Sequence, residues 1–164
     1  LPQDEIELTS HIIGLGAVKY AELAQNRLTD YVFSWDKLLA LDGNTAPYLQ
    51  NAYVRIRSIF RRAEEDADTT APILLDAPAE RILGLKLLQY AETVPVVLDD
   101  FRPNILANYL YELANTYHSF YEACPVLKAS TPHLRASRLL LSSLTARTLS
   151  HGLSLLGIRC PEKM

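Results

Sequence analysis

Between Pro103 and Pro125 the chain runs uninterrupted by glycine or proline, and Leu106, Leu110, Leu113, Tyr117 and Phe120 recur along it in alternating steps of four and three. That is the period of one apolar face of an α-helix. A stripe this long has to be covered, and the rest of the chain offers further helices rather than strands to cover it. Pro103 is pre-set for a first helical turn, where its missing N–H is not needed, and Pro125 stops the helix near Ala123. The same punctuation recurs elsewhere. Thr45 with Pro47 starts a helix from about Ala46 to Ala63. Pro78 opens one to about Gln89, and Thr93 with Pro95 opens or kinks another ending near Phe101. Thr131 with Pro132 starts the last, which runs to about Leu156, with Gly157 suited to a left-handed cap.

An opening helix is expected from about Asp4 to Gln25, with Ile6, Ile13, Val18 and Ala21 among its apolar positions. Gly14 and Gly16 inside it each cost roughly 1 kcal/mol relative to alanine and predict a kink or break. Tyr31–Trp35 is the one β-rich stretch, too short to found a sheet, and Glu64–Ala71 reads as a loop or disordered hinge with no apolar face to bury. The expectation is an all-α chain, an antiparallel bundle of five or six helices.

With 164 residues the chain has the length of one domain, and no apolar run approaches the roughly 18 residues of a membrane span. The net charge of −3 hides a division. Residues 1–62 balance seven acids with seven bases, residues 63–122 carry eleven acids against three bases, and residues 123–164 carry one acid against six bases. An anionic partner responds to that distribution rather than to the total. Cys124 and Cys160 form no CxxC and have no histidine at zinc-like spacing, so they read as reduced thiols of a cytoplasmic protein. The chain begins at Leu1 with no secretory signal and reads as a piece of a longer protein.

Catalytic motifs are missing. There is no GxGxxG, no phosphate loop ending in GK[ST], no GxSxG and no HExxH, and His11, His118, His133 and His151 are scattered. The informative segment is Pro47–Arg62. Tyr48, Asn51, Arg55, Ser58 and Arg62 share one helical face, apart from an apolar stripe at 49, 52, 53, 56, 60 and 63. An aromatic ring followed by an amide and a guanidinium can stack a base, bond its edge and hold a phosphate. The same spacing also describes a solvated arginine face with a tyrosine at its rim. Arg135 and Arg138 are neighbours one turn apart on the last helix, and the many tyrosines favour unpaired RNA over duplex DNA. A protein–protein docking module using the acidic middle segment is the alternative.

The runs Gly16–Leu23, Asn26-Arg27, Asp30–Phe33, Trp35-Asp36 and Gly43–Gln50 closely resemble the C-terminal third of the arginyl-tRNA synthetases. So do Tyr109–Ala114, Phe120–Leu127, Arg135, Arg138-Leu139, Gly152–Ile158 and the ending Pro161-Glu162-Lys163-Met164. The resemblance implies a bundle of the class I aminoacyl-tRNA synthetase anticodon-binding type, named for an Asp-Ala-Leu-Arg string. Asp99-Asp100-Phe101-Arg102 stands near where that string would fall. It further implies residues 1–42 as the trailing helix and linker of a catalytic region, and residues 43–164 as the anticodon-binding domain with a hinge at about 64–77.

The parent implied is arginine–tRNA ligase, which joins arginine to tRNA(Arg) with ATP and magnesium. The family's HIGH-like and KMSK-like motifs have no counterpart here, so the fragment itself is expected to be catalytically inactive, with no cofactor, no metal and no catalytic residue. Its implied partner is tRNA(Arg), with no DNA and no membrane, and it is expected to be monomeric. By position, Tyr48 and Arg55 match a family tyrosine and arginine of the tRNA-binding face, and Asn51 stands where relatives often carry tyrosine. Tyr121 and Met164 match positions near the anticodon loop, and Arg135 and Arg138 are implied as contacts to its backbone.

Overall fold

The structure, a computed structural model, describes residues 2–164. Seven helices follow in order: α1 (Gln3–Leu23), α2 (Trp35–Leu38), α3 (Ala46–Ala63), α4 (Pro78–Leu88), α5 (Tyr90–Asp100), α6 (Pro103–Ala123) and α7 (Pro132–Leu155). No strand forms among the described residues. None of these helices is long and apolar enough to cross a membrane.

The threonine start signals and the Gly157 cap act where they were expected. Thr45 is extended and its Oγ1 accepts the Tyr48 N–H at 3.2 Å, which starts α3. Thr131 does the same for Leu134 at the start of α7, also at 3.2 Å. Glu80 reaches back from the first turn of α4 to accept the Ala77 N–H at 2.8 Å. Gly157 follows α7 in the left-handed region at φ 69°.

Helix α6 is the centre, with α1, α3, α4, α5 and α7 packed around it. Its stripe of Leu106, Leu110, Leu113, Tyr117 and Phe120 is wholly buried, so the helix is held by the burial the period requires. In α3 the buried face is Leu49, Val54, Ile56, Ile59 and Phe60, while Ala52 and Tyr53 are only partly covered.

Two expectations change, while the short Tyr31–Trp35 stretch founds no sheet, as expected. Helix α1 runs unbroken through Gly14 and Gly16. Gly16 serves close approach, since a β-carbon there would lie 2.9 Å from Gln50 Nε2 and 3.1 Å from Ile158 Cγ2. The Tyr31–Trp35 stretch is no strand; Ser34 caps the one-turn helix α2, accepting the Lys37 N–H at 3.5 Å. Thr93 and Pro95 lie inside α5, which starts directly behind α4 at Tyr90. Thr93 Oγ1 donates to the Gln89 carbonyl at 2.9 Å and so bonds back along the turn rather than capping a helix.

Residues 64–77 are not helical. Leu74 is anchored from both sides, its N–H donating to Ser137 Oγ at 2.8 Å and its carbonyl accepting from the same hydroxyl at 3.3 Å. Glu65 accepts from Arg135 Nε at 3.0 Å.

Candidate nucleic-acid interface

The Thr45 cap and Pro47 fix where α3 begins, and the helical period then sets the direction of every side chain after them. Tyr48, Asn51, Arg55, Ser58 and Arg62 all open onto one cleft, facing Ala114, Tyr117, His118 and Tyr121 of α6. The cleft has a volume of about 340 Å³ and no carboxylate among its lining residues.

Tyr48 stands on the α6 wall. Its hydroxyl donates to Asn115 Oδ1 at 2.6 Å, and its ring meets Tyr111 edge-on with centroids 5.7 Å apart. Burial, with Tyr111 beside it, raises the Tyr48 phenol above its ordinary value, while Arg55 pulls the other way. The bond to Asn115 and the contact with Tyr111 hold the ring against α6. Tyr121 is 41% exposed and lies nearly parallel to Tyr117, with centroids 6.3 Å apart and planes at 23°. Its hydroxyl accepts from Arg62 Nη2 at 3.3 Å.

Arg55 is exposed and takes part in none of the ion pairs among the described residues. The cleft thus combines ring faces, one amide and two guanidiniums, with His118 held by Glu122 at 3.3 Å. Such a lining can stack unpaired bases, bond their edges and neutralise phosphate.

Of the residues expected from sequence, Tyr48, Asn51, Arg55 and Tyr121 converge here, and Arg135, Arg138 and Met164 do not. Arg138 corrects the expectation of an exposed contact. It is 9% exposed, its Nε donates to Glu80 Oε1 at 2.7 Å, and its Nη1 donates to the Pro125 carbonyl at 2.9 Å. Buried against a carboxylate and a carbonyl, it has no face to offer a phosphate. Arg135 is likewise engaged, by Glu65 and by the Leu127 carbonyl at 2.9 Å.

Met164 is exposed and follows a segment tied to another side of α3. The Glu162 carboxylate accepts from Arg57 Nε at 3.4 Å and from the Tyr53 hydroxyl at 3.3 Å, and the Glu162 carbonyl accepts from Arg61 Nη1 at 3.1 Å. The α6 wall adds Tyr117 and His118, which sequence reasoning did not place in the site. The available signal was their spacing from Tyr121, at four and three residues.

The profile of the DALR anticodon binding domain matches residues 49–164. The chain belongs to this DALR anticodon-binding family. Residues 1–35 match the catalytic domain of the class I tRNA synthetases for arginine. It is 55% identical to the arginine–tRNA ligase of Pseudoalteromonas atlantica over all of this chain and 29% of that protein. It is 52% identical to the arginine–tRNA ligase of Shewanella denitrificans over 98% of this chain and 28% of the relative.

Among solved structures, the arginyl-tRNA synthetase of Thermus thermophilus superposes with a TM-score of 0.85 at 37% identity, covering 93% of this chain and 27% of that one. The arginyl-tRNA synthetase of Plasmodium falciparum gives 0.83 at 34%, covering 97% and 28%. The DALR chain therefore spans under a third of the length of each of these four relatives. A docking module unrelated to tRNA is not the reading these likenesses favour.

Proposed function

We propose that this chain recognises the anticodon region of tRNA(Arg) as the C-terminal part of an arginine–tRNA ligase, which joins arginine to tRNA(Arg) with ATP. The observation that carries the reading is the convergence of Tyr48, Asn51, Arg55 and Tyr121 on a single cleft without carboxylates. In this mechanism Arg55 and Arg62 hold phosphates of the anticodon loop. The rings of Tyr48 and Tyr121 receive splayed bases, and the Asn51 amide bonds a base edge. Phosphate contacts supply salt-dependent affinity and base contacts supply selection.

Residues 1–42 act as the trailing helix and linker of the catalytic region, and residues 43–164 as the recognising domain. Met164, exposed at the end of the tail, is available to pack on a base outside the cleft. Arg135 stabilises the 64–77 loop within that domain rather than gripping RNA. ATP and magnesium serve the parent's catalytic region. The part proposed for this chain is recognition, and no chemical step is assigned to it.

The test is an anisotropy titration with a tRNA(Arg) transcript and an anticodon-altered transcript, each at two salt concentrations. Tighter binding of the first, weakened for both by salt, is expected. Equal affinity for the two transcripts overturns anticodon recognition.

A further inference from the structure

Gln50 sits one residue from the cleft face of α3 and is completely buried. Its Nε2 donates to the Arg159 carbonyl at 2.8 Å and to the Ile12 carbonyl at 3.4 Å. One amide therefore ties three segments: α1, α3 and the stretch following α7. Gly16 of α1 leaves the space for that amide, and Ile158 closes the same seam. On the far side of the stretch, Lys19 Nζ donates to the Gly157 carbonyl at 2.7 Å.

Gln50 Oε1 is buried with no hydrogen-bond partner among the described residues. An apolar side chain would fill this site but take away the donor that the Arg159 carbonyl accepts from, so the amide serves those backbones as well as the packing. What an amide does, and leucine cannot, is fix the register of three backbones by directional bonds.

The seam also separates the two profiles. Helix α1 lies in the part that matches the catalytic domain, while α3 carries the recognition face. We propose that Gln50 is a positioning residue for aminoacylation: it locks α3 to α1, and so sets where a tRNA held in the cleft presents its acceptor end to the catalytic region. The inference rests on the tRNA-recognition reading above. Displacement of reacting groups by about 1 Å can cost on the order of a hundredfold in rate while contacts elsewhere persist.

The test uses the full-length ligase carrying Gln50→Met, which keeps the length of the side chain and removes both bonds. Gly16→Ala is the second variant. Its methyl group crowds the Gln50 amide, and Ile158 beside it, from the other side, while its higher helix propensity keeps α1 itself helical. Both variants should lower kcat for tRNA(Arg) charging at saturating tRNA by about tenfold or more. The Kd for tRNA(Arg), read by anisotropy, should stay within about twofold.

An unchanged kcat in a folded variant overturns the proposal. So does a weakened Kd with kcat preserved, which would make Gln50 a support for the cleft alone. Tyr48→Ala separates the two levels of inference. If it leaves tRNA affinity untouched, the recognition reading fails and takes this one with it; if it weakens affinity while both seam variants charge normally, only the positioning role fails.

Discussion

Arg138 and Glu80 meet at 2.7 Å inside the bundle, across 58 residues of sequence, with the carboxylate wholly buried. The second Glu80 oxygen caps α4 through the Ala77 N–H, and the second bond of Arg138 holds the Pro125 carbonyl between α6 and α7. At this junction Glu80 accepts two bonds and Arg138 donates two. Removing one side alone strands a buried charge. Arg138→Ala is therefore expected to destabilise the domain by about 3–5 kcal/mol in urea unfolding. Any loss of tRNA binding should follow the unfolded fraction and disappear when binding is corrected for it.

For Tyr48 the ring and the hydroxyl have separable roles. Tyr48→Ala removes a stacking surface worth about 1–3 kcal/mol per base, roughly 5- to 150-fold in affinity. Tyr48→Phe keeps the ring and loses the bond to Asn115, at about 1 kcal/mol of stability. Anisotropy titrations should show a selective loss for tRNA(Arg) with alanine and near-normal binding with phenylalanine.

Arg55→Ala should weaken cognate and non-cognate tRNA alike and reduce the slope of log affinity against log salt by about one. A loss confined to the cognate tRNA would instead assign Arg55 to a base.

Stability should decline in alkali. Burial pushes the Cys160 thiol from an ordinary value near 9 up to about 12, and burial likewise raises the Tyr20 and Tyr117 phenols. Between the ordinary and raised values the unfolded chain releases protons that the folded chain retains. The contribution of Cys160 is thus complete below about pH 9 and is lost as pH rises through about 12. Urea midpoints should fall from about pH 8 to about pH 10, less steeply in Cys160→Ala.

Apolar side chains crowd the outer surface of the first 41 residues. Leu28, Val32 and Trp35 are 81%, 88% and 61% exposed, and Ile6, Leu8 and Leu15 add to them along α1. An apolar surface of this kind promotes association when uncovered. The isolated chain should bind a hydrophobic dye and scatter light with rising concentration. Val32→Ser combined with Trp35→Ser should reduce both without changing tRNA affinity.

Helices α3 and α6 were legible to their ends because their start signals are local: a threonine hydroxyl and a proline act within one turn. The α3 wall of the cleft followed from the helical period for the same reason. Arg138 was misread because sign and spacing on α7 do not reveal which side of the helix faces Glu80, far away in the sequence. Gly16 was read as a break because its purpose, room for the Gln50 amide, exists only once α1 and α3 are packed. Tyr117 and His118 were not placed in the cleft because the period of their helix speaks mainly of core.

The two walls of the cleft come from helices that share no continuous stretch of chain. An excised peptide spanning residues 46–63 would keep every cleft-lining side chain of α3 and still have nothing for Tyr48 to brace against. Recognition of this kind cannot be carried off as a short linear motif and travels only with the whole helical assembly.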